Sequence, residues 1–359
     1  MARNIIKSNN VAVAVQNGTN FSTTNLTIDL YTLVQGYNYS VQFSHQGLKQ
    51  VGSQDLVSNK TMQQPDVTLG FSYIPEPTMY NEAYGLFTPR SLPINNFINM
   101  FSGALELDTN FYLLICPNQE DDALTKMSFD ETPMDLTGWD AIAFGNCFPT
   151  TYGLTYGVGT LPIVSTTYIC SNVVFENLTG TSMVMPAVDL TGGNNDNVGR
   201  CLFQIDGDHT NPPIVNPTDA QSSVTLQNLQ VGGQPISGTH FIQAVDMSVD
   251  LPRVSNYGLG NDFAYGRKAQ LPANGKFSVS SLVSGLESGI LTGVLGSESD
   301  YDFQLVLASG SQKMIYQVED AKLTSYSYSM PVNNQMTFDA EFSFEITETK
   351  GLKLSGTAY

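Results

Sequence analysis

Apolar and polar residues alternate most regularly near the end of the chain, in MTFDAEFSFEI (336–346). Phe338, Ala340, Phe342 and Phe344 fall on one side, and Thr337, Asp339, Glu341, Ser343 and Glu345 on the other. Successive side chains of a strand point to opposite faces, so this run predicts a strand with one dry and one wet face. The preceding LTSYSYSM (323–330) sets Tyr326, Tyr328 and Met330 against Ser325, Ser327 and Ser329, and PVNN between the two runs supplies turn residues. Together they predict a hairpin. A counterpart in the first half spans 151–175, turning at Leu161 and Pro162 and ending in VVFE where the later hairpin ends in FSFE.

The same alternation reveals an internal repeat. A shift of 208 residues lays VQGYNYSVQF (34–43) on IQAVDMSVDL (242–251) without a gap. Gln35 meets Gln243, Ser40 meets Ser248, Gly52 meets Gly260 and Lys60 meets Lys268, while Val34, Tyr39 and Phe43 meet Ile242, Met247 and Leu251. After a loop of about twenty residues in each copy comes a second alternating run, 67–74 or 276–283, with Phe71 over Val279 and Ser72 over Ser280. Agreement in strand phase and element order argues for duplication, since repeats of this kind preserve both.

Helical spacing follows in each copy, with Ile94, Phe97, Ile98 and Phe101 in one stripe and Leu282, Leu286, Ile290 and Val294 in the other. These predict one short helix per copy, although Gly285, Gly289 and Gly293 oppose the second. Short strands at 111–116 and 303–308 come next. Between the copies, TGGNNDNVG, DGDHTNPPIVNPTDA and VGGQPISG are rich in chain breakers. The expected organisation is a mainly β chain with a first copy at 1–180, a linker with connecting strands at 181–222 and a second copy at 223–359.

Composition agrees with the strand reading: charged residues are 13%, with 17 Tyr and 19 Phe. The net charge of -18 opposes any surface that grips phosphate backbones. Cys116, Cys147, Cys170 and Cys201 lack CxxC spacing and read as buried thiols. No secretory leader is recognised and no apolar run reaches bilayer length, so a cytoplasmic site of synthesis is expected and the six N-x-S/T sequons carry no weight.

Chemistry is thinly supported. His45, His209 and His240 lie in separate elements, and no nucleophile elbow, phosphate loop or dinucleotide fingerprint occurs. The acidic groups Glu120, Asp121, Asp122 and Asp206, Asp208 do not follow a calcium loop. A single tryptophan, Trp139, is little provision for a sugar-binding cleft. The expectation is a non-enzymatic protein without metal or cofactor.

The run from Val34 through YIPEP at 73–77, its echo in the second half, and the SYSYSMPVNNQMTFDAEFSFEI hairpin resemble the tail tube proteins of long-tailed bacteriophages, in a form whose tube domain is duplicated within one chain. That resemblance implies two tandem β-sandwiches or partial barrels, each with a flanking helix. It implies trimeric rings of pseudo-sixfold symmetry that stack into a conduit for genome DNA in the virion tail. Asn38, Ser40, Gln42, Asp246, Ser248 and Asp250 become lumen-facing candidates, with Lys276 as an exception to an acidic wall. The loops carrying Gly52, Lys60, Arg253, Gly260, Arg267 and Lys268 become inter-ring candidates, whose basic residues either pair with the next ring or form a solvated loop face. Implied partners are further copies of the chain and tape measure, tail terminator and baseplate proteins, while DNA passes without tight binding and no membrane is involved. The alternative is another virion surface protein: a decoration, baseplate or receptor-binding module.

Overall fold

The computed structural model describes residues 6–17, 27–43, 45–49, 56–61, 66–86, 97–99, 109–116, 122–127, 134–188, 200–202, 204–205, 214–215, 221–231, 234–235, 240–256, 264, 266–283, 300–330, 335–347 and 349–356. In chain order the first half contains β1 (Val11–Asn17), β2 (Thr27–Leu30), β3 (Val34–Gln42), β4 (His45–Lys49), β5 (Leu56–Thr61), β6 (Asp66–Tyr73) and α1 (Tyr80–Gly85). It continues with β7 (Ile98–Asn99), β8 (Thr109–Ile115), α2 (Ala123–Lys126), β9 (Asp140–Gly157), β10 (Ile163–Cys170) and β11 (Asn172–Asn177). Short pieces follow: β12 (Ser182–Val184), β13 (Arg200–Leu202), β14 (Gln204–Ile205), β15 (Ser222–Gln227), β16 (Gln230–Val231) and β17 (Gln234–Pro235). The chain ends with β18 (His240–Asp250), β19 (Arg253–Asn256), β20 (Gly266–Ala269), β21 (Ala273–Val283), β22 (Tyr301–Ser309), β23 (Gln312–Ser329), β24 (Thr337–Ile346) and β25 (Leu352–Gly356).

The protein is mainly β, as its alternation predicts. Eight antiparallel strands form one long sheet in the order β3-β6-β10-β9-β18-β21-β24-β23. Two further sheets cover its apolar side: β2-β1-β8-β9-β11 over one half and β15-β22-β23-β25-β7 over the other. Strands β9 and β23 belong to two sheets each, because each is 18 residues long and bends midway. At the bends Asn146 and Asp320 take left-handed backbone angles, φ 49 and φ 55, which short polar side chains tolerate best. Beside the first bend, a Cβ on Gly145 would lie 2.0 Å from the Pro186 carbonyl oxygen, so only glycine fits against that backbone.

Burial follows the phase read from the sequence. In β24, Phe338, Ala340, Phe342 and Phe344 are buried while Asp339, Ser343 and Glu345 are exposed. Phe342 packs against Phe303 and Phe277, with ring centroids 5.4 and 6.3 Å away. In the first half Phe71, Phe111, Tyr31 and Tyr168 form the corresponding aromatic centre. One apolar core, containing Val245 and Phe277 as well as Phe71 and Phe111, runs beneath the whole long sheet. A second core lies on the outer side of the first covering sheet, where Met183, Met185 and Trp139 cover Tyr112 and Leu114. Every residue of β8 is buried, because the strand has a core on each face.

Several expectations need correction. Ile98 and Asn99, expected in a helix, are strand β7, paired with Leu354 and Lys353, and Leu282 and Val283 finish β21. The rest of those helical stripes, apart from Phe97, lies outside the described residues. The described helices, α1 and α2, both lie in the first half. The loops after β3 and β18 contain two-stranded hairpins, β4–β5 and β19–β20. In the hairpin comparison the strand that matches β24 in position is β10, beside β6 and β9 as β24 is beside β21 and β23, while VVFE belongs to β11 in the covering sheet.

Candidate functional site

Cross-strand register collects the polar residues of the long sheet on one face. One row runs from edge to edge as Gly36, Ser72, Ser165, Gly153, Ser248, Lys276, Ser343 and Lys322. The neighbouring row runs Asn38, Gly70, Thr167, Thr151, Asp250, Asn274 and Glu345. Asn38, Ser40, Gln42, Asp246, Ser248 and Asp250, the six candidates drawn from the sequence, are all exposed and all lie on this face. A hollow of about 490 Å³, lined by Thr155, Asp246, Ser278, Ser325, Asp339 and Glu341, makes the face concave between β9 and β23.

Among the described residues carboxylates outnumber ammonium groups on this surface. Asp66, Asp246, Asp250, Asp339, Glu341 and Glu345 stand against Lys276 and Lys322. Lys276 sits opposite Ser248, with Asp246 and Asp250 at the two diagonal positions. A concave wall of hydroxyls, amides and excess acid repels a polyanion over roughly 8–10 Å at physiological salt and offers few cations for phosphates.

The sheet ends in two open edges. Among the described residues β3 pairs only with β6, and residues 322–329 of β23 pair only with β24. Each edge leaves a row of backbone donors and acceptors facing outward, a template for another strand. Beside those groups lie exposed apolar side chains: Tyr37 and Tyr39 on β3, Tyr328 and Met330 at β23.

The second hairpin holds its arginines against the first half of the chain, half-buried at Arg253 and buried at Arg267, which corrects the solvated-face reading of these two. Arg253 donates from Nε to the Pro149 carbonyl at 2.7 Å, donates from Nη1 to the Arg267 carbonyl at 3.0 Å, and lies 5.1 Å over the Phe148 ring. Arg267 is buried and donates from Nη2 to the Cys170 carbonyl at 3.2 Å. Both therefore fasten the hairpin base to the first half of the chain. Lys268 is exposed, Lys60 lies in β5 opposite Gln46, and Gly52 and Gly260 fall outside the described residues.

Sequence reasoning missed a buried polar centre. Glu82, on α1, accepts hydrogen bonds at Oε1 from the Tyr73 hydroxyl at 3.0 Å and the Tyr152 hydroxyl at 3.4 Å. The Tyr152 and Tyr316 hydroxyls are 2.9 Å apart, carrying the network into the second half. Burial pushes the Glu82 carboxyl up to about 7, with the hydrogen bonds from Tyr73 and Tyr152 opposing the rise. Nothing in YNEAYG marks that glutamate as buried, since its partners come from distant strands. Cys116, Cys147 and Cys170 are buried thiols outside any disulfide, and Asn10 Nδ2 donates to the Cys116 Sγ at 3.7 Å. Among the described residues no group of histidine, cysteine and acidic side chains could hold a metal ion, and no helix is long and apolar enough to cross a membrane.

Compared with known proteins, the chain matches no family model and no curated protein.

Proposed function

We propose that this chain is a structural, non-enzymatic component of a phage tail tube, assembling with itself into stacked rings around a lumen for DNA. The observation that carries the reading is the repeated strand order: β3-β6-β10-β9 recurs as β18-β21-β24-β23 within one sheet whose outer edges are open. Further features coincide under the same alignment. Both copies have a bulge at a glutamine, Gln35 or Gln243, whose Nε2 donates to the carbonyl two residues earlier at 3.1 or 3.2 Å. The bends at Asn146 and Asp320 coincide when Tyr152 is laid on Tyr326. Two tandem β-sandwich units, each a half of the long sheet with its cover, are the natural account.

Three chains, each supplying two such units, would close a barrel of pseudo-sixfold symmetry and remove every open edge. The concave acid-rich face would line the lumen, and DNA would slide past it without binding. The β4–β5 and β19–β20 hairpins, extending from the ends of the long strands, would engage the next ring. Tape measure, terminator and baseplate proteins follow as partners from the resemblance, with assembly in the host cytoplasm and a place in the virion tail.

Negative-stain electron microscopy of the purified chain, with mass determination in the same buffer, tests the reading. Hollow rings or tubes built from trimers are expected. Closed compact trimers that bind glycans would refute it in favour of a receptor-binding role.

A further inference from the structure

The repeat supplies a template for the contact between chains. At the middle of the long sheet β9 of the first unit pairs with β18 of the second: Tyr156 opposite Val245, Leu154 opposite Met247, Gly153 opposite Ser248 and Tyr152 opposite Val249. At the two ends of the sheet stand the equivalents of those strands, with no further strand paired to them among the described residues. Strand β3 is the equivalent of β18, and the last part of β23 is the equivalent of the last part of β9.

Burial differs sharply between equivalent positions. Val245 and Met247 are each 1% exposed, whereas their equivalents Tyr37 and Tyr39 are 39% and 40% exposed. Leu154 is 0% exposed, whereas its equivalent Tyr328 is 40% exposed, and Met330, 73% exposed, is the equivalent of the half-buried Tyr156. The positions that the internal joint covers are those that the open edges leave bare. Both edges carry aromatic or thioether side chains there, and such surface is favourable to bury. The wet-face positions between them are small and polar, Asn38 and Ser40 on β3 and Ser327 and Ser329 on β23, as Asp246, Ser248, Gly153 and Thr155 are at the joint.

Resting on the tube reading, we infer that β3 of one copy pairs antiparallel with residues 325–330 of β23 of a second copy, in the register of the internal joint. Tyr37 then faces the second copy's Met330, Tyr39 faces Tyr328, Ser40 faces Ser327 and Val41 faces Tyr326. The two edges are different surfaces of one chain, so the contact is head to tail and propagates until a ring closes. Tyr39 already packs edge to face on Phe144, 5.4 Å between centroids, which holds its ring on the dry side for Tyr328 to meet.

Cysteine cross-linking reads the register directly. Ser40 and Ser327 are exposed on the wet face, so the double variant Ser40→Cys/Ser327→Cys leaves the core untouched, and the native chain oxidised in parallel sets the background from its own thiols. Slipped controls are Ser40→Cys/Ser325→Cys and Ser40→Cys/Ser329→Cys, each displaced by two residues on the same face. Assembled protein is oxidised briefly with a copper catalyst and run without reductant. The expected result is a ladder of linked chains at least about tenfold stronger for the matched pair than for either slipped pair. If the mass shows rings yet a slipped pair links as well or better, the register is wrong while the tube reading survives. If no variant nor the native chain forms rings and no link appears, both fall.

Discussion

Glu82 offers the sharpest quantitative test of the core. Its carboxyl is buried beside Tyr73, Tyr152 and Tyr316, with Tyr31, Tyr168 and Glu76 as the other titratable neighbours. Burial holds the five tyrosines neutral by raising them above the ordinary phenol value. The Glu82 carboxyl rises from 4.5 in the unfolded chain to about 7 in the folded one. A raised value means that the folded state holds the proton more tightly. Its contribution to stability is therefore full below pH 4.5, is lost as pH rises toward about 7, and stays lost above that. Each unit is worth 1.36 kcal/mol, so ionising the buried group costs about 3 kcal/mol. Glu82→Gln keeps an acceptor for the two tyrosine hydroxyls and removes the ionisation. Urea unfolding of both proteins at pH 4.5 and pH 8 should show the variant gaining about 3 kcal/mol on the native chain across that interval, other carboxylates cancelling in the difference. A change below about 1 kcal/mol would refute the argument that Glu82 ionises within a sealed core.

The bend in β9 and the charge of the concave face give two further expectations. Gly145→Ala should destabilise the chain by about 2–3 kcal/mol, because the new Cβ meets unyielding Pro186 backbone. Gly159→Ala, at φ +80 with nothing within 4 Å, should cost only about 1 kcal/mol, and equal urea midpoints for the two variants would contradict the steric account. Asp246→Lys with Asp250→Lys should make assembled protein retain DNA at low salt and release it at high salt, measured by co-sedimentation, whereas the native assembly retains none. Retention by the native protein to the same extent would remove the charge argument.

The parts of the fold legible in the sequence are those encoded by neighbours a few residues apart. Alternation in 336–346 fixed which side chains of β24 are dry, and in 242–251 it separated Val245, Met247 and Val249 from Asp246, Ser248 and Asp250, because a strand turns its side chains over at every residue. Helical spacing misled at Ile98 and Asn99, where pairing with β25, a partner more than two hundred and fifty residues away, made them strand. Arg253 and Arg267 carry no local mark of their carbonyl partners, which lie about a hundred residues away.

Sequence alone thus determined strand phase and the wet and dry sides of the strands, both of which follow from local period and composition. Tertiary structure alone decided which strands lie side by side, where β9 and β23 bend between sheets, that Glu82 is sealed among tyrosines, and that β3 and the last part of β23 are edges among the described residues. Those outcomes depend on hydrogen bonds and contacts between residues far apart in the chain, and strand alternation is the same whether or not a neighbour is present.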